Sequence, residues 1–308
     1  MRVKGFDAPV TVLTLIEAMA TRLEAAGLSH SDGFGQGTTN AFDEAAWLVL
    51  WKLGLALDDL ASVENQPVMP AKQVQVIELV DARISTRKPA AYLTNEAWLT
   101  GVSFYVDERV IIPRSLIAEL IDDGSIDPWL SDKTQRVLDL CTGNGSLAVL
   151  AALAYPDVVV DAADISPDAL AVARINIDRH QLARRITLIK SDGLSACRGG
   201  YDLILCNPPY VNAASMAALP AEFRAEPALA LAGGSDGMDF IRTLFLTVAS
   251  QMNENAVLVL EIGNERANFE SAFPALEPLW FETSAGGDQV LLLTRQQLQP
   301  SLSFKNTT

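Results

Sequence analysis

The sequence contains few of the residues that build metal sites and disulfide frameworks. Its 308 residues include three cysteines and two histidines, His30 and His180. Cys141, Cys197 and Cys206 are odd in number and form no Cys-x-x-Cys pair, so neither a disulfide framework nor a zinc or haem site is predicted. Cys141 and Cys206 lie in apolar runs, where a free cysteine is expected to pack as a small hydrophobic residue.

Long apolar runs and a surplus of positive charge are missing as well. Stretches such as Val158–Val160 and Leu203–Cys206 are far shorter than the roughly 20 residues that span a bilayer. The first residues do not have the pattern of a secretory signal, so we expect a cytoplasmic protein. The 23 Lys and Arg residues against 38 Asp and Glu residues give a net charge of −15, which argues against a surface built to bind nucleic acid.

Hydrophobic residues make up 49% of the chain, which is enough for a large packed core and excludes global disorder. In the first ninety residues, apolar side chains recur at three- and four-residue spacing in Leu13–Leu23, Trp47–Trp51 and Pro70–Ile84. This spacing predicts helices. We expect a helical domain over residues 1–95 that selects the substrate.

The pattern changes between Trp98 and Pro113. Two short β-branched and aromatic runs, Phe104–Val106 and Val110–Ile112, flank a polar stretch and predict a β-hairpin. We expect this hairpin to link the domains over residues 96–115, with a larger domain over residues 116–308.

In the larger domain, apolar runs alternate with helical stretches, a pattern typical of an α/β fold with a mostly parallel sheet covered on both faces. A last pair of runs lies too close together for a crossover helix and predicts a carboxyl-terminal antiparallel hairpin. The seven predicted strands are Val137–Cys141, Val158–Ala163, Ile186–Ile189, Tyr201–Cys206, Ala256–Ile262, Trp280–Thr283 and Val290–Leu293.

A glycine loop follows the first of these strands and opens a helix. Gly143 and Gly145 allow backbone N–H groups to approach a ligand there, and Asp164 ends the next strand 21 residues after Gly143. An acidic residue at that position can accept both hydroxyls of a ribose, which indicates an adenosine ligand. The residues expected to bind the cofactor are Asp139, Cys141, Thr142, Gly143, Asn144, Gly145, Ser146, Asp164, Ile165, Asp192, Gly193 and Asn207.

Two cofactors are compatible with this loop. Gly143-x-Gly145-x-x-Ala148 also satisfies a loose dinucleotide fingerprint, so an NAD enzyme is an alternative. Asp139, however, precedes the glycines, where its charge would repel a pyrophosphate and attract the ammonium group of a methionine moiety. Asp192, after the third strand, can accept a hydrogen bond from the adenine amine.

The fourth strand runs directly into Asn207-Pro208-Pro209-Tyr210. Neither proline can donate a backbone hydrogen bond, and Asn207 adds a side-chain acceptor beside the loop carbonyls. Two such acceptors could hold a planar amide or amine through its two N–H groups. With the Asp139–Gly145 loop, this segment resembles the class I S-adenosylmethionine-dependent methyltransferases that modify planar amino groups.

The flanking segments, Phe104–Ser115 and Glu226–Gly237, are similar to the HemK-like family of protein-(glutamine-N5) methyltransferases. The resemblance covers most of residues 40–295. Ala91–Trp98 and Asp164–Ala173 resemble the branch that modifies a glutamine of large-subunit ribosomal protein L3, whereas Ser115–Ile117 replaces the Pro-Glu-Thr of the release-factor branch.

The resemblance implies a Rossmann-like class I fold, S-adenosylmethionine as cofactor and a glutamine side-chain amide of L3 as the methyl acceptor. It implies that Asn207, Pro208, Pro209 and Tyr210 form the catalytic motif. A methyltransferase acting on the exocyclic amine of adenine in nucleic acid shares the motif and is the alternative; the charge of −15 favours a basic protein substrate over free nucleic acid. The intact motif argues against a non-catalytic binding module.

Overall fold

The computed structural model describes residues 8–28 and 37–299. The chain divides into two compact units. The first contains the described residues up to Ala97 together with Val106–Glu108 and Leu219–Glu226; the second contains Trp98–Tyr105, Arg109–Ala218 and the chain from Pro227 onward. His30 lies outside the described residues.

The first unit is helical, as its hydrophobic spacing predicts. Asn40 caps the second helix by accepting the N–H of Asp43 at 2.9 Å, and Gly54 ends that helix with a φ of 71°. A two-stranded ladder, β1 (Val10–Thr11) with β2 (Pro67–Val68), joins its segments. Its helices are α1 (Val12–Ala25), α2 (Ala41–Leu53), α3 (Leu60–Val63), α4 (Pro70–Thr86) and α5 (Ala90–Thr94).

A buried ionic cluster holds this unit together. Arg83 is fully buried on α4 and donates to Glu44 at 2.8 Å and to Glu222 at 3.0 Å, and Arg87 donates to Glu222 at 3.1 Å. Because Glu222 comes from the segment Leu219–Glu226, these bonds fix a segment distant in sequence to the helices. Burial raises the pKa of Glu44, and the charge of Arg83 opposes this increase.

The second unit is an α/β domain. Its helices are α6 (Ile117–Asp122), α7 (Ser146–Ala154), α8 (Pro167–Arg179), α9 (Ala213–Ala218), α10 (Asp239–Gln251), α11 (Arg266–Ala272) and α12 (Arg295–Leu298). Its main strands are β5 (Arg136–Leu140), β6 (Val159–Asp164), β7 (Ile186–Lys190), β8 (Tyr201–Cys206), β9 (Met252–Glu261), β10 (Leu279–Thr283) and β11 (Gly286–Thr294), after a short hairpin of β3 (Ala97–Leu99) and β4 (Val102–Phe104).

The seven main strands form one sheet in the order β10-β11-β9-β8-β5-β6-β7. The five strands from β9 to β7 are parallel, and β11 pairs antiparallel with both β9 and β10. The predicted mostly parallel sheet with a carboxyl-terminal antiparallel hairpin is confirmed. The chain runs outward from β5 through β6 and β7, then returns to β8 on the other side, so the topological switch point lies between β5 and β8.

A hairpin is present in this region, but the predicted pairing of Phe104–Val106 with Val110–Ile112 is wrong. The structure pairs β3 with β4 instead, and Val110–Ile112 belongs to no strand. The turn explains the difference, because Thr100 and Gly101 have φ values of 45° and 77°, as a tight two-residue hairpin turn requires. The strand-forming residues on which the prediction rested do not mark this turn.

Two kinds of feature are absent from the described residues. No helix among them is long and apolar enough to cross a membrane. No group of three or more His, Cys, Asp or Glu side chains within residues 8–28 and 37–299 could hold a metal ion.

Candidate active site

The loop between β5 and α7 has an unusual backbone. Cys141, Gly143 and Gly145 have φ values of 63°, 55° and 82°, so three of five successive residues are left-handed. Gly145 is packed closely: a Cβ there would lie 3.1 Å from the Cβ of Ala173 on α8. The loop therefore requires glycine at Gly145 both for its backbone angle and for helix packing. The glycine pattern that marked this loop in the sequence corresponds to this geometry.

Asp139, on β5, is buried beneath the loop. Its Oδ2 accepts the hydroxyl of Thr142 at 2.5 Å and the N–H of Ala148 at 2.9 Å. Both bonds use one oxygen, and Oδ1 makes no hydrogen bond to a described residue. Burial raises the pKa of Asp139 to about 7, although the two hydrogen bonds lower it in part.

Asp164, at the end of β6, also contacts this loop. Its Oδ2 accepts the N–H of Gly143 at 2.9 Å and its Oδ1 accepts the N–H of Ser166 at 2.9 Å. Burial raises its pKa, and the backbone bonds lower it in part. Each carboxylate oxygen can accept a second hydrogen bond, so two ligand hydroxyls could still be held there.

Asn144 provides a buried donor without a partner. Its Oδ1 accepts the N–H of Ser146 at 3.2 Å, which fixes the orientation of the amide, and its backbone carbonyl accepts Asn176 Nδ2 at 2.9 Å. Its own Nδ2 is buried with no hydrogen-bond partner among the described residues. Since an unpaired buried donor is costly, this atom fits a site that a polar ligand completes.

The motif Asn207–Tyr210 leaves β8 beside this loop, because Cys206 pairs with Leu140 in the parallel register of β8 and β5. Asn207 is half-buried, and its side chain makes no hydrogen bond to any residue that the structure describes. The Tyr210 hydroxyl donates to Glu261 Oε1 at 3.2 Å.

These elements surround a cavity of about 270 Å³ at the switch point, and every residue that lines it belongs to the second unit. The predicted site residues that line the cavity are Asp139, Cys141, Thr142, Gly143, Asn144, Ser146, Asp164, Ile165, Asp192, Gly193, Asn207 and Pro209. Gly145, Pro208 and Tyr210 are not among the lining residues. The position and polar lining of the cavity match those of a ligand site in an open α/β sheet.

Several important residues were not predicted from the sequence. Glu261 is a buried carboxylate that ends β9, and Asn176 is a buried amide on α8. Both interrupt an otherwise apolar set of buried positions, and that interruption is the signal that could have identified them. Phe240 and Leu229 also line the cavity, but nothing in their local sequence indicates this.

The strand order, with one antiparallel strand at the carboxyl end, and the cavity at its switch point define a class I methyltransferase. Residues 120–237 match the family described as methyltransferase small domain. The cofactor is S-adenosylmethionine, and the unpaired Asn144 donor and the acidic Asp139 and Asp164 suit its polar groups.

Comparison with curated proteins narrows the class. The chain is 51% identical over 291 residues to the ribosomal protein uL3 glutamine methyltransferase of Bordetella pertussis, covering 94% of this chain and 96% of that protein. It is 48% identical to the protein of the same name from Burkholderia pseudomallei, covering 94% and 95%, and 46% identical to that from Neisseria gonorrhoeae, covering 94% and 95%. The chain belongs to the family of ribosomal protein uL3 glutamine methyltransferases.

Proposed function

We propose that this enzyme methylates the side-chain amide nitrogen of a specific glutamine in ribosomal protein uL3, the L3 protein of the large subunit, giving N5-methylglutamine. The observation that carries the proposal is the position of Asn207, whose side chain lines the cavity and makes no hydrogen bond to a described residue. It is available to a substrate. Relatives that are 46–51% identical carry the name of this activity, which supports the choice of substrate.

The chemistry requires positioning more than acid–base catalysis. The lone pair of an amide nitrogen is delocalised into its carbonyl, so the nitrogen is a poor nucleophile. No side-chain base can remove its proton beforehand at neutral pH. S-adenosylmethionine supplies a methyl group already activated on a sulfonium. In the proposal, Asn207 Oδ1 and the Pro208 carbonyl accept the two amide N–H groups, orient the nitrogen and stabilise its developing positive charge. The nitrogen then loses one of its two protons to water, which gives the neutral N-methyl amide.

The cofactor contacts follow from the same cavity. We propose that Asp139 faces the ammonium group, that Asp164 accepts the ribose hydroxyls and that Asp192 accepts the adenine amine. Cys141, Thr142, Gly143, Asn144, Gly145, Ser146, Ile165 and Gly193 complete this site, and Pro209 and Tyr210 complete the catalytic motif. The Asn144 amide donor, which is otherwise unpaired, adds a contact to an acceptor atom of the cofactor.

The charge of the chain supports a basic protein partner. At −15, the enzyme attracts a positively charged ribosomal protein and repels free nucleic acid. The proposal places the reaction in the cytoplasm, where uL3 is made. Methylation of an adenine amine remains the competing outcome, and the experiment below includes it.

The test is transfer of labelled methyl from S-adenosylmethionine to uL3 and to ribosomal RNA, each prepared from cells that lack the enzyme. Mass spectrometry then locates the modified side chain. We expect label on one glutamine of uL3. Label in nuclease-sensitive material with none in protein would establish the adenine activity instead.

The variant Asn207→Ala tests the proposed role of the motif. Loss of one oriented acceptor in the transition state should reduce kcat about 100-fold, by analogy with deletion of an oxyanion-hole donor. The dissociation constant of S-adenosylmethionine, measured by calorimetry, should change less than about threefold, since Asn207 acts chiefly on the acceptor amide. Asn255→Ala, at an exposed position of β9, is the matched control and should keep full activity. An unchanged kcat for Asn207→Ala would contradict the proposed role.

A further inference from the structure

Glu261 is a carboxylate in an apolar environment. It ends β9 after five buried hydrophobic residues and is 3% exposed. Three groups donate to it: the Ser115 hydroxyl at 2.5 Å, the Leu116 N–H at 2.9 Å and the Tyr210 hydroxyl at 3.2 Å. Every residue in this cluster belongs to the second unit.

Burial of a carboxylate at this position costs folding free energy. Burial raises its pKa, and the donors from Ser115, Leu116 and Tyr210 only partly offset this cost. Apolar residues at the end of a buried strand are generally at least as stabilising as such a polar cluster. Stability alone therefore does not account for the choice of glutamate, and its contacts indicate another role.

The two oxygens of Glu261 serve different segments. Oε1 accepts from Tyr210, the last residue of the Asn207–Tyr210 motif. Oε2 accepts from Ser115 and Leu116, and Ser115 itself lines the cavity. One buried side chain thus joins the catalytic motif to a residue that lines the same cavity.

The residues just after β9 also pack closely against the Tyr210 ring. At Gly263, whose φ is 54°, a Cβ would lie 2.5 Å from Tyr210 Cε2, so only glycine allows this approach. Two residues further on, Glu265 accepts Asn212 Nδ2 at 2.6 Å. The segment from Glu261 to Glu265 therefore contacts Tyr210 at the end of the catalytic motif and Asn212 just after it.

We propose that Glu261 is a positioning residue for methyl transfer, which holds the Asn207–Tyr210 loop through Tyr210 and the cavity wall through Ser115. Glu261 does not line the cavity and acts through these neighbours. The inference rests on the proposed function in one respect only: the reaction whose rate it affects is the methylation of uL3. The fixed position of the loop is a property of the enzyme alone.

The variant Glu261→Gln keeps the size of the side chain and removes its negative charge. Its amide oxygen can still accept from Ser115 and Leu116, but its amide nitrogen then faces the Tyr210 hydroxyl with a donor in place of an acceptor. The Tyr210 hydroxyl can then only accept from this amide, so a charge-assisted hydrogen bond is replaced by a weaker neutral one of opposite direction, without a change in side-chain size. Because small displacements of a reacting group can cost about 100-fold in rate, we expect kcat to fall about 10- to 100-fold.

The kinetic experiment compares Glu261→Gln, Tyr210→Phe and the double variant, with Glu254→Gln as control. Glu254 lies exposed on the same strand, so its substitution removes the same charge without touching the loop. We expect kcat to fall in both single variants, with KM for uL3 and the dissociation constant of S-adenosylmethionine within about threefold of the parent. Because Glu261 acts through Tyr210, the double variant should lose clearly less than the product of the two single losses.

A second measurement needs no substrate. Hydrogen–deuterium exchange at the amides of residues 210–212 should be faster in Glu261→Gln than in the parent or in Glu254→Gln, while thermal unfolding shows that all three proteins are folded. Unchanged exchange in these amides, or full additivity of the two rate losses, would overturn the proposal. If the parent enzyme does not methylate uL3, the proposed function fails, and the exchange experiment alone decides the role of Glu261.

Discussion

Asp139 illustrates how one residue can have a structural and a binding role together. The sequence indicates a partner for an ammonium group, and the structure adds that Oδ2 ties Thr142 and the start of α7 to β5. Burial keeps its pKa near neutrality. A cation next to Oδ1 would favour the ionised form, so cofactor binding and ionisation of Asp139 should promote each other.

The pH dependence of stability tests this residue directly. The pKa of Asp139 is raised from 3.8 to about 7 on folding, so between these values the folded chain holds a proton that the unfolded chain has lost. Its contribution to the free energy of unfolding therefore falls as pH rises from about 4 to 7, and it stays constant above that window. The expected decrease is of the order of 4 kcal/mol, since each unit of pKa corresponds to about 1.4 kcal/mol.

Urea unfolding of the parent and of Asp139→Asn at several pH values isolates this contribution. The difference in free energy of unfolding, parent minus variant, should decline toward pH 7 and then level off. The neutral variant keeps an acceptor oxygen at the same position. A difference independent of pH would show that the folded-state pKa of Asp139 is close to its ordinary value.

Sequence reasoning located single residues best where the chain is locally distinctive. Gly143 and Asp164 stand at recognisable distances from strand ends, and both line the cavity. Glu261 and Asn176 depend on partners far along the chain, at Ser115 and Tyr105, which local spacing does not reveal. Such long-range partners appear only once the sheet is assembled.

At the scale of elements, strands that are buried on both faces were the easiest to predict. The predicted Tyr201–Cys206 agrees with β8 at both ends, and the other main-sheet strands were found with shifted ends. Continuous apolar runs give this signal. The hairpin of β3 and β4 was missed because its register depends on the left-handed turn at Thr100 and Gly101, whose local sequence carries no Asn-Gly or Asp-Gly signature.

Helix α8 supports the cofactor loop through one buried amide side chain. Asn176 lies in the buried stripe of α8 between Val172 and Ile177. Its Oδ1 accepts the Tyr105 N–H at 2.7 Å, and its Nδ2 donates to the carbonyls of Tyr105 at 3.0 Å and Asn144 at 2.9 Å. The helix thereby fixes the cofactor loop at Asn144.

Asn176→Ala should consequently weaken both folding and cofactor binding. The substitution removes three hydrogen bonds to the backbone of Tyr105 and Asn144, so we expect the free energy of unfolding to fall by about 3 kcal/mol. The dissociation constant of S-adenosylmethionine should rise, since the loop at Asn144 loses its anchor. Asp178→Ala, exposed on the same helix, is the control in urea unfolding and calorimetry. Equal stability of the two variants would mean that Asn176 does not anchor the loop.

At the scale of the whole molecule, the two units differ in what they contribute. All cavity residues come from the α/β unit. The helical unit also contains Leu219–Glu226, a segment that follows the catalytic motif in the chain and is held by Arg83 and Arg87. No sequence pattern predicted this assignment, because it depends on a buried ionic contact between residues 139 positions apart.

The net charge of −15 makes a prediction about recognition of the complete substrate. If the acidic enzyme attracts basic uL3 through its overall field, kcat/KM should fall about tenfold between 0.05 and 0.5 M salt, as the screening length shrinks from over 10 Å to under 5 Å. The value of kcat at saturating uL3 should change little, because chemistry within the cavity is shielded from the bulk ions. An uncharged peptide containing the same glutamine separates steering from effects on the site, since its kcat/KM should depend only weakly on salt. If the peptide and uL3 respond alike, the acidity of the chain serves its solvation and has no part in selecting the substrate.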